Sequence, residues 1–228
     1  MTLVYTAILG GCDSLKPAPE GADRAVCFVD DAAAYHDALG WTLVPYHVSA
    51  TADPRREAWH LRAVPHRLFF DYTRVVWIDA SFTLTDMPKL MRDTGKAPVA
   101  ALRHHARSSC YTEANEIVRV GQARAEDIEP QMAAYRRAGF IPKHLSISCI
   151  VVRDRSEQAV AFSETWDEQT AKHVGDNTQL SLDYSAWAHN LEIAPLRGTR
   201  HENPYSVHDH RDHKKRRKPY RIPMVDVT

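Results

Sequence analysis

Residues 74–82, RVVWIDASF, set a carboxylate, Asp79, directly behind a run of apolar and β-branched side chains. Such a run reads as a strand buried on both faces, and open α/β sheets bind ligands outside the carboxyl ends of their strands. A carboxylate at that point can hold a hard divalent cation against phosphate oxygens. The other reading is a strand-terminal aspartate that caps the next turn through its own oxygens.

Working outward, the runs LVYTAIL (3–9), AVCFVDD (25–31) and WTLVPYHV (41–48) have strand length, and the segment from Arg55 to Phe70 reads as helix. Strand and helix in that rhythm predict a mostly parallel sheet flanked by helices. The first strand stops at Gly10-Gly11 and the second at Asp30-Asp31, which marks those positions with Asp79 as the place to seek chemistry. Beyond Pro98 the pattern predicts helices from Cys110 to Gly121, Glu126 to Ala138, Ser156 to His173 and Asn177 to His189, with one strand, SISCIVVR (146–153), among them. The expected fold class is α/β, one domain over residues 1–200. Residues 201–228 form a basic, histidine-rich extension, HDHRDHKKRRKPYR from His208, able to close over an anionic ligand.

At 228 residues, 44% hydrophobic and 25% charged, the chain is large enough for one sizeable core. Its formal net charge is zero, so the chain as a whole makes no electrostatic claim on nucleic acid or an anionic membrane. The opening MTLVYTAILGGCDSLK has no basic region before a short apolar run that Gly10 and Gly11 interrupt, which is expected to be neither signal peptide nor membrane span. Cys12, Cys27, Cys110 and Cys149 form no CxxC pair, a usage that fits buried thiols in a reducing compartment and a cytoplasmic protein.

Several groups flank those strand ends. The turn after Thr6, Ala7 and Leu9 carries Gly10-Gly11, which lets backbone approach a ligand, although a dinucleotide fingerprint is absent and a plain tight turn is the other reading. Arg55, Arg56, Arg62, His66 and Arg67 recur along the helix leading to Asp79, either as phosphate ligands or as a solvated basic face. The segment RHHARSSCYTE brings Arg103, His104 and Glu113 together, as a mixed polar site or as surface groups. Asp176 or Asn177 can cap a helix presenting Gln179 and then Asp183.

The ordered motifs YTAILGGCDSLK, CFVDD, GW, DPRR, PHRLF, VVWIDAS, RHHARSSCYTEA, QMAAYRRAGF and DNTQLSLDY resemble the plant and bacterial glycosyltransferase-like family once filed as a domain of unknown function. Some plant members of that family act in pectin and mucilage formation. The resemblance covers roughly Val4 to Leu196. A more distant one is to the retaining GT-A transferases of the glycogenin and galactosyltransferase group, where a basic residue on a helix precedes an apolar strand ending in DxD. Arg62 takes the place of that basic residue and Asp79-Ala80-Ser81 that of DxD, so the second carboxylate is missing. Those relatives also carry a DQ pair and a later histidine before a lysine-proline-aromatic ending. Here the corresponding residues are Thr178-Gln179 with Asp176 the nearest acid, and His213 upstream of Lys218-Pro219-Tyr220.

The resemblance implies a GT-A-like (Rossmann-like) fold and transfer of a sugar from a nucleoside diphosphate donor, a uridine type, to a hydroxyl acceptor. It implies Thr6, Ala7, Leu9 and Asp30 around the nucleoside, with Mn²⁺ or Mg²⁺ held by Asp79 and by His208, His210 or His213. Arg62, Ser81, Arg103, His104 and Lys218 would lie around the donor, and Asp176, Gln179 and Glu113 on the sugar face. Acceptors in view are a polysaccharide or a modified nucleic acid. Two other readings stay open: a non-catalytic module that binds nucleotide sugar or anionic polymer on the same scaffold, and a metal-dependent hydrolase built on the tail.

Overall fold

The computed structural model describes residues 1–173, 175 and 178–208. A seven-stranded sheet forms its centre. Strand β1 (Thr2–Ile8) pairs in parallel with β2 (Arg24–Val29) and with β4 (Arg74–Ile78), and β2 pairs in parallel with β3 (Thr42–Pro45). Strand β7 (Ser146–Arg153) runs antiparallel between β4 and β6 (Val99–Arg103), and β8 (Ala194–Leu196) closes the order β3-β2-β1-β4-β7-β6-β8. The predicted mostly parallel α/β sheet is therefore present, with SISCIVVR as the strand that reverses direction. Because β6 and β4 both oppose β7, the carboxyl ends of β1, β2, β4 and β6 and the amino end of β7 share one edge.

Side-chain alternation sorts the sheet into two faces. Leu3, Tyr5, Ala7, Val26, Phe28, Val75, Trp77 and Val151 pack with residues of α1 (Pro54–Ala63), α6 (Glu157–Lys172) and α7 (Gln179–Ala188), among them Leu61, Phe162, Trp166 and Leu182. Val4, Ile8, Cys27, Val76, Ile78 and Ile150 face the other way, onto α3 (Met87–Thr94) and onto a small ribbon of β5 (Phe82–Leu84) and β9 (Ser206–His208). A satellite cluster around Ile117, Met132, Tyr135 and Phe140 joins α4 (Cys110–Arg119) to α5 (Ala125–Arg137).

Two expected helices differ in detail. The stretch from Arg55 to Phe70 is not one helix. Proline cannot donate to the i−4 carbonyl, so α1 ends before Pro65, which opens the short α2 (Pro65–Leu68). The helix expected from Asn177 instead begins at Gln179, with Thr178 at its N-cap in a left-handed conformation, φ 69°, and no side-chain capping bond. The histidine-rich extension begins inside the fold: Tyr205 is fully buried, and its hydroxyl donates to Asp93 Oδ2 at 2.8 Å. Among the described residues no helix is long and apolar enough to cross a membrane.

Candidate functional site

Asp79 leaves the end of β4 at the shared edge. It lies two residues past Trp77, hence on the same sheet face, and its Oδ1 accepts from Trp77 Nε1 at 2.8 Å. Arg62, in the last turn of α1, reaches the same oxygen with Nη2 at 3.0 Å. The Arg62 side chain is 9% exposed and that of Asp79 26%. Arg62 Nη1 donates to Ser148 Oγ at 2.6 Å and to Thr178 Oγ1 at 3.0 Å, and the guanidinium lies 5.0 Å over the Trp77 ring. Its backbone is fixed as well, since the Arg62 carbonyl accepts from Tyr5 Oη at 2.7 Å and from Arg153 Nη2 at 2.5 Å. One arginine thus ties α1, β4, β7 and the start of α7 to a single carboxylate.

The sheet is irregular beside this pair. The β6/β7 register shifts between Ala101 and Leu102, which pair with Val151 and Ile147, so Ser148 to Ile150 bulge past β6. Bulges of this kind re-aim side chains next to functional sites. Here the bulge delivers Ser148 Oγ to Arg62 and the Cys149 carbonyl to the amide of Asp79 at 2.9 Å. Burial pushes the Cys149 thiol up to about 12, with the Asp79 carboxylate adding to the effect, so it stays protonated beside the site.

At the ends of β1 and β2 a cavity of about 730 Å³ is lined by Gly11, Asp13, Asp30, Asp31, Tyr35 and His36, among others. Gly10 and Gly11 have φ of 66° and 59°, a left-handed conformation that glycine adopts without steric cost. Asp30 Oδ2 accepts from the Gly10 amide at 2.5 Å, fixing that turn. Thr6, Ala7 and Leu9, predicted to line this pocket, are 2%, 5% and 1% exposed and face the interior; the turn residues beyond them form the wall.

Of the basic residues along α1 and α2, only Arg62 points at the site. Arg55 pairs with its own helix cap Asp53 at 3.2 Å, Arg56 donates to the Thr170 and Ala171 carbonyls, and Arg67 and His66 bind Glu164 on α6. Ser81 is buried in the turn after Asp79. His208 comes to that turn because it pairs with Phe82 in the β5–β9 ribbon, with ring centroids 4.3 Å apart. A chain of rings then continues from His208 to His201 at 6.1 Å, His105 at 5.5 Å and His104 at 4.9 Å. Sequence reasoning missed His201 and Arg200, whose guanidinium lies 6.0 Å over Phe82.

Arg103 ends β6, bound to Ser146 Oγ and the Ile193 carbonyl, with Asp183 Oδ1 at 3.7 Å. His104 Nδ1 accepts from the Ala106 and Arg107 amides at 3.0 and 2.9 Å; burial, then the Arg107 charge, lowers its pKa to about 4 and keeps it neutral. Glu113 is buried on α4 and ion-paired to Arg107, behind the His104 loop. Gln179 opens α7 next to Thr178. Asp176, His210, His213 and Lys218 lie outside the described residues.

Among the described residues no group of three or more histidine, cysteine, aspartate or glutamate side chains could by itself hold a metal ion. Asp79 supplies one carboxylate at this strand end, and Mg²⁺ and Mn²⁺ complete their shells with phosphate and water oxygens. Both bonds to the Asp79 carboxylate fall on Oδ1, and no hydrogen bond among the described residues reaches Oδ2.

A family model described as "TOD1/MUCI70, glycosyltransferase-like domain" matches residues 3–184. That span runs from β1 into α7 and includes Arg62, Asp79, Arg103, His104 and Gln179. A search of the curated proteins finds no match.

Proposed function

The chain belongs to the TOD1/MUCI70 glycosyltransferase-like domain family, and from that premise we propose that it transfers a sugar from a nucleoside diphosphate sugar, a uridine type, to a hydroxyl acceptor. The observation that carries the reading is the Arg62–Asp79 pair at the carboxyl end of the central strand. A nucleoside in the cavity between Gly11 and Asp31 would direct its diphosphate toward Asp79 and its sugar toward Gln179 and the end of β6. Mn²⁺ or Mg²⁺ held at Asp79, with His208 or a histidine beyond it, would supply charge against the diphosphate leaving group. Arg62 holds the Asp79 carboxylate in place, and Arg200 and Lys218 are the cations assigned to the phosphates. Asp176 is assigned to the sugar face with Gln179. Glu113, already paired with Arg107, supports the His104 loop in this arrangement. The buried thiols Cys27, Cys110 and Cys149 support a cytoplasmic setting.

Ser81 at the position of a second DxD acid favours one other reading, a module that binds the donor without turning it over. Thermal stabilisation separates these possibilities, because a ligand that binds only the folded chain raises its Tm. The transferase reading expects one nucleotide sugar to raise Tm with Mn²⁺ present, the shift to vanish in Asp79→Ala, and an acceptor to release free nucleotide. Stabilisation without release would favour the binding module, and no shift with any donor would remove both.

A further inference from the structure

Beyond the Asp79 site, the same sheet edge carries a second concavity of about 240 Å³ whose wall includes Arg103, His104, His105, Arg107, Lys143 and His144. Its lining contains no carboxylate. Arg103, Arg107 and Lys143 supply basic side chains to the wall, and the guanidiniums are braced from behind. Asp183 lies 3.7 Å from Arg103 and 3.4 Å from His144, and Glu113 pairs with Arg107. Asp183 and Glu113 are 7% and 6% exposed, so both acids sit beneath the wall. Those acids, with the bonds from Arg103 to Ser146 and Ile193 and from Arg107 to His104, fix two guanidiniums in the wall, and a guanidinium suits carboxylate and phosphate oxygens. Lys143 is exposed, and among the described residues no hydrogen bond or ion pair engages its ammonium group.

The position of this concavity suggests what it serves. Arg103 lies at the end of β6 opposite Ser146 and Asp79 at the end of β4 beside Cys149, with only β7 between them, so the two centres are at least two strand spacings, about 10 Å or more, apart. The ring chain from His104 to His208 fills the interval. A sugar held by its diphosphate at Asp79 would face this wall, on the side away from the nucleoside cavity beside β1 and β2.

We propose that this concavity is an acceptor-side subsite for an oxyanion, the carboxylate of a uronate or a phosphate group carried by the acceptor. The inference rests on the donor reading of Asp79 for its role in transfer, but the anion site itself does not depend on it. Lys143 is the residue to test, because among the described residues its ammonium makes no hydrogen bond or ion pair, and its replacement leaves Arg103, Arg107 and their acids intact.

Thermal-shift titrations of the full chain with inorganic phosphate, glucuronate and uncharged glucose, at constant ionic strength, read the site directly. At least one of the two anions is expected to raise Tm while glucose does not. Lys143→Glu should weaken that response about tenfold or more, with Lys143→Gln between it and wild type, while the nucleotide-sugar response at Asp79 is retained. A response to phosphate alone identifies a phosphate-bearing acceptor, and one to glucuronate a carboxylate. The subsite is overturned if neither anion stabilises the chain, or if Lys143→Glu leaves the response unchanged. A nucleotide-sugar response without an anion response removes this subsite and keeps the donor reading. An anion response lost in Lys143→Glu, with no nucleotide sugar bound, removes the donor reading and with it the acceptor role.

Discussion

Arg62 Nη2 lies 3.0 Å from Asp79 Oδ1, and the same guanidinium holds Ser148 and Thr178 through Nη1. Removing the arginine leaves a partly buried carboxylate and two buried hydroxyls to find other partners. Arg62→Met is expected to cost about 3 kcal/mol in urea denaturation. Arg62→Lys, which keeps the charge but loses the fork, should recover part of that stability and little of the nucleotide-sugar affinity.

Thr178 sits at φ 69°, a conformation that β-branched residues rarely adopt. Glycine there would relieve roughly 1 kcal/mol of strain while losing the bonds to Arg62 and Ser148. The expectation is a change of less than about 1 kcal/mol for Thr178→Gly. Thr178→Val keeps the strain and loses the acceptor oxygen, and should cost about 2 kcal/mol. Equal losses in the two variants would show that the left-handed conformation carries no strain.

The Gly10-Gly11 turn beside the cavity at the ends of β1 and β2 should be intolerant of a methyl group. A Cβ on Gly10 would meet Pro54 side-chain carbons at 3.0 Å, and the φ of 66° disfavours any L side chain. Gly10→Ala is expected to lose about 1–2 kcal/mol. It should weaken nucleotide-sugar binding more than it weakens the anion response at Lys143, as paired thermal-shift titrations would show.

Acid should destabilise the fold through the histidines whose pKa burial lowers, His66, His104 and His173, the first two most. Burial, reinforced by Arg153, Arg67 and Arg155, lowers His66 to about 4, against an opposing contribution from Asp167; its contact with Glu164 is therefore a hydrogen bond of a neutral ring. His104 is lowered to about 4 by burial and by Arg107, His105, His201 and Arg200. Each ring is neutral in both states well above pH 6.5. Between about 6.5 and 4 the unfolded chain takes up protons that the folded chain refuses, so stability falls as pH falls through that window. His60, raised by its bond to Asp167, works in the opposite direction. Urea midpoints at pH 7 and pH 5 should show the net loss, and His66→Gln should reduce the difference between them.

What the sequence made legible follows from where the signals were local. The apolar runs through Val75–Ile78 and Ile150–Val152 announced buried strands, and Gly10, Asp30 and Asp79 marked their ends because a strand's last residue is visible in a short window. Pro65 carried a helix-break signal that the reading from Arg55 to Phe70 passed over. Thr178 was not legible as a helix start, since a β-branched residue in a left-handed conformation contradicts its own propensity and is sustained by tertiary bonds to Arg62, Ser148 and Trp166. The ribbon that brings His208 to Phe82 has strands of three residues, too short for periodicity to register. Lys143 and Arg200 stand alone in loops, and only the closure of β6, β7 and β9 gathers them at the edge.

The most direct test of the account is release of nucleoside diphosphate from a nucleotide sugar, measured with Mn²⁺ for wild type and for Asp79→Asn in the presence of an acceptor. Wild type is expected to show acceptor-dependent release, and Asp79→Asn a fall of roughly a hundredfold or more with the fold intact. Equal release by the two proteins would contradict the assignment of Asp79 and with it the site built around the Arg62–Asp79 pair.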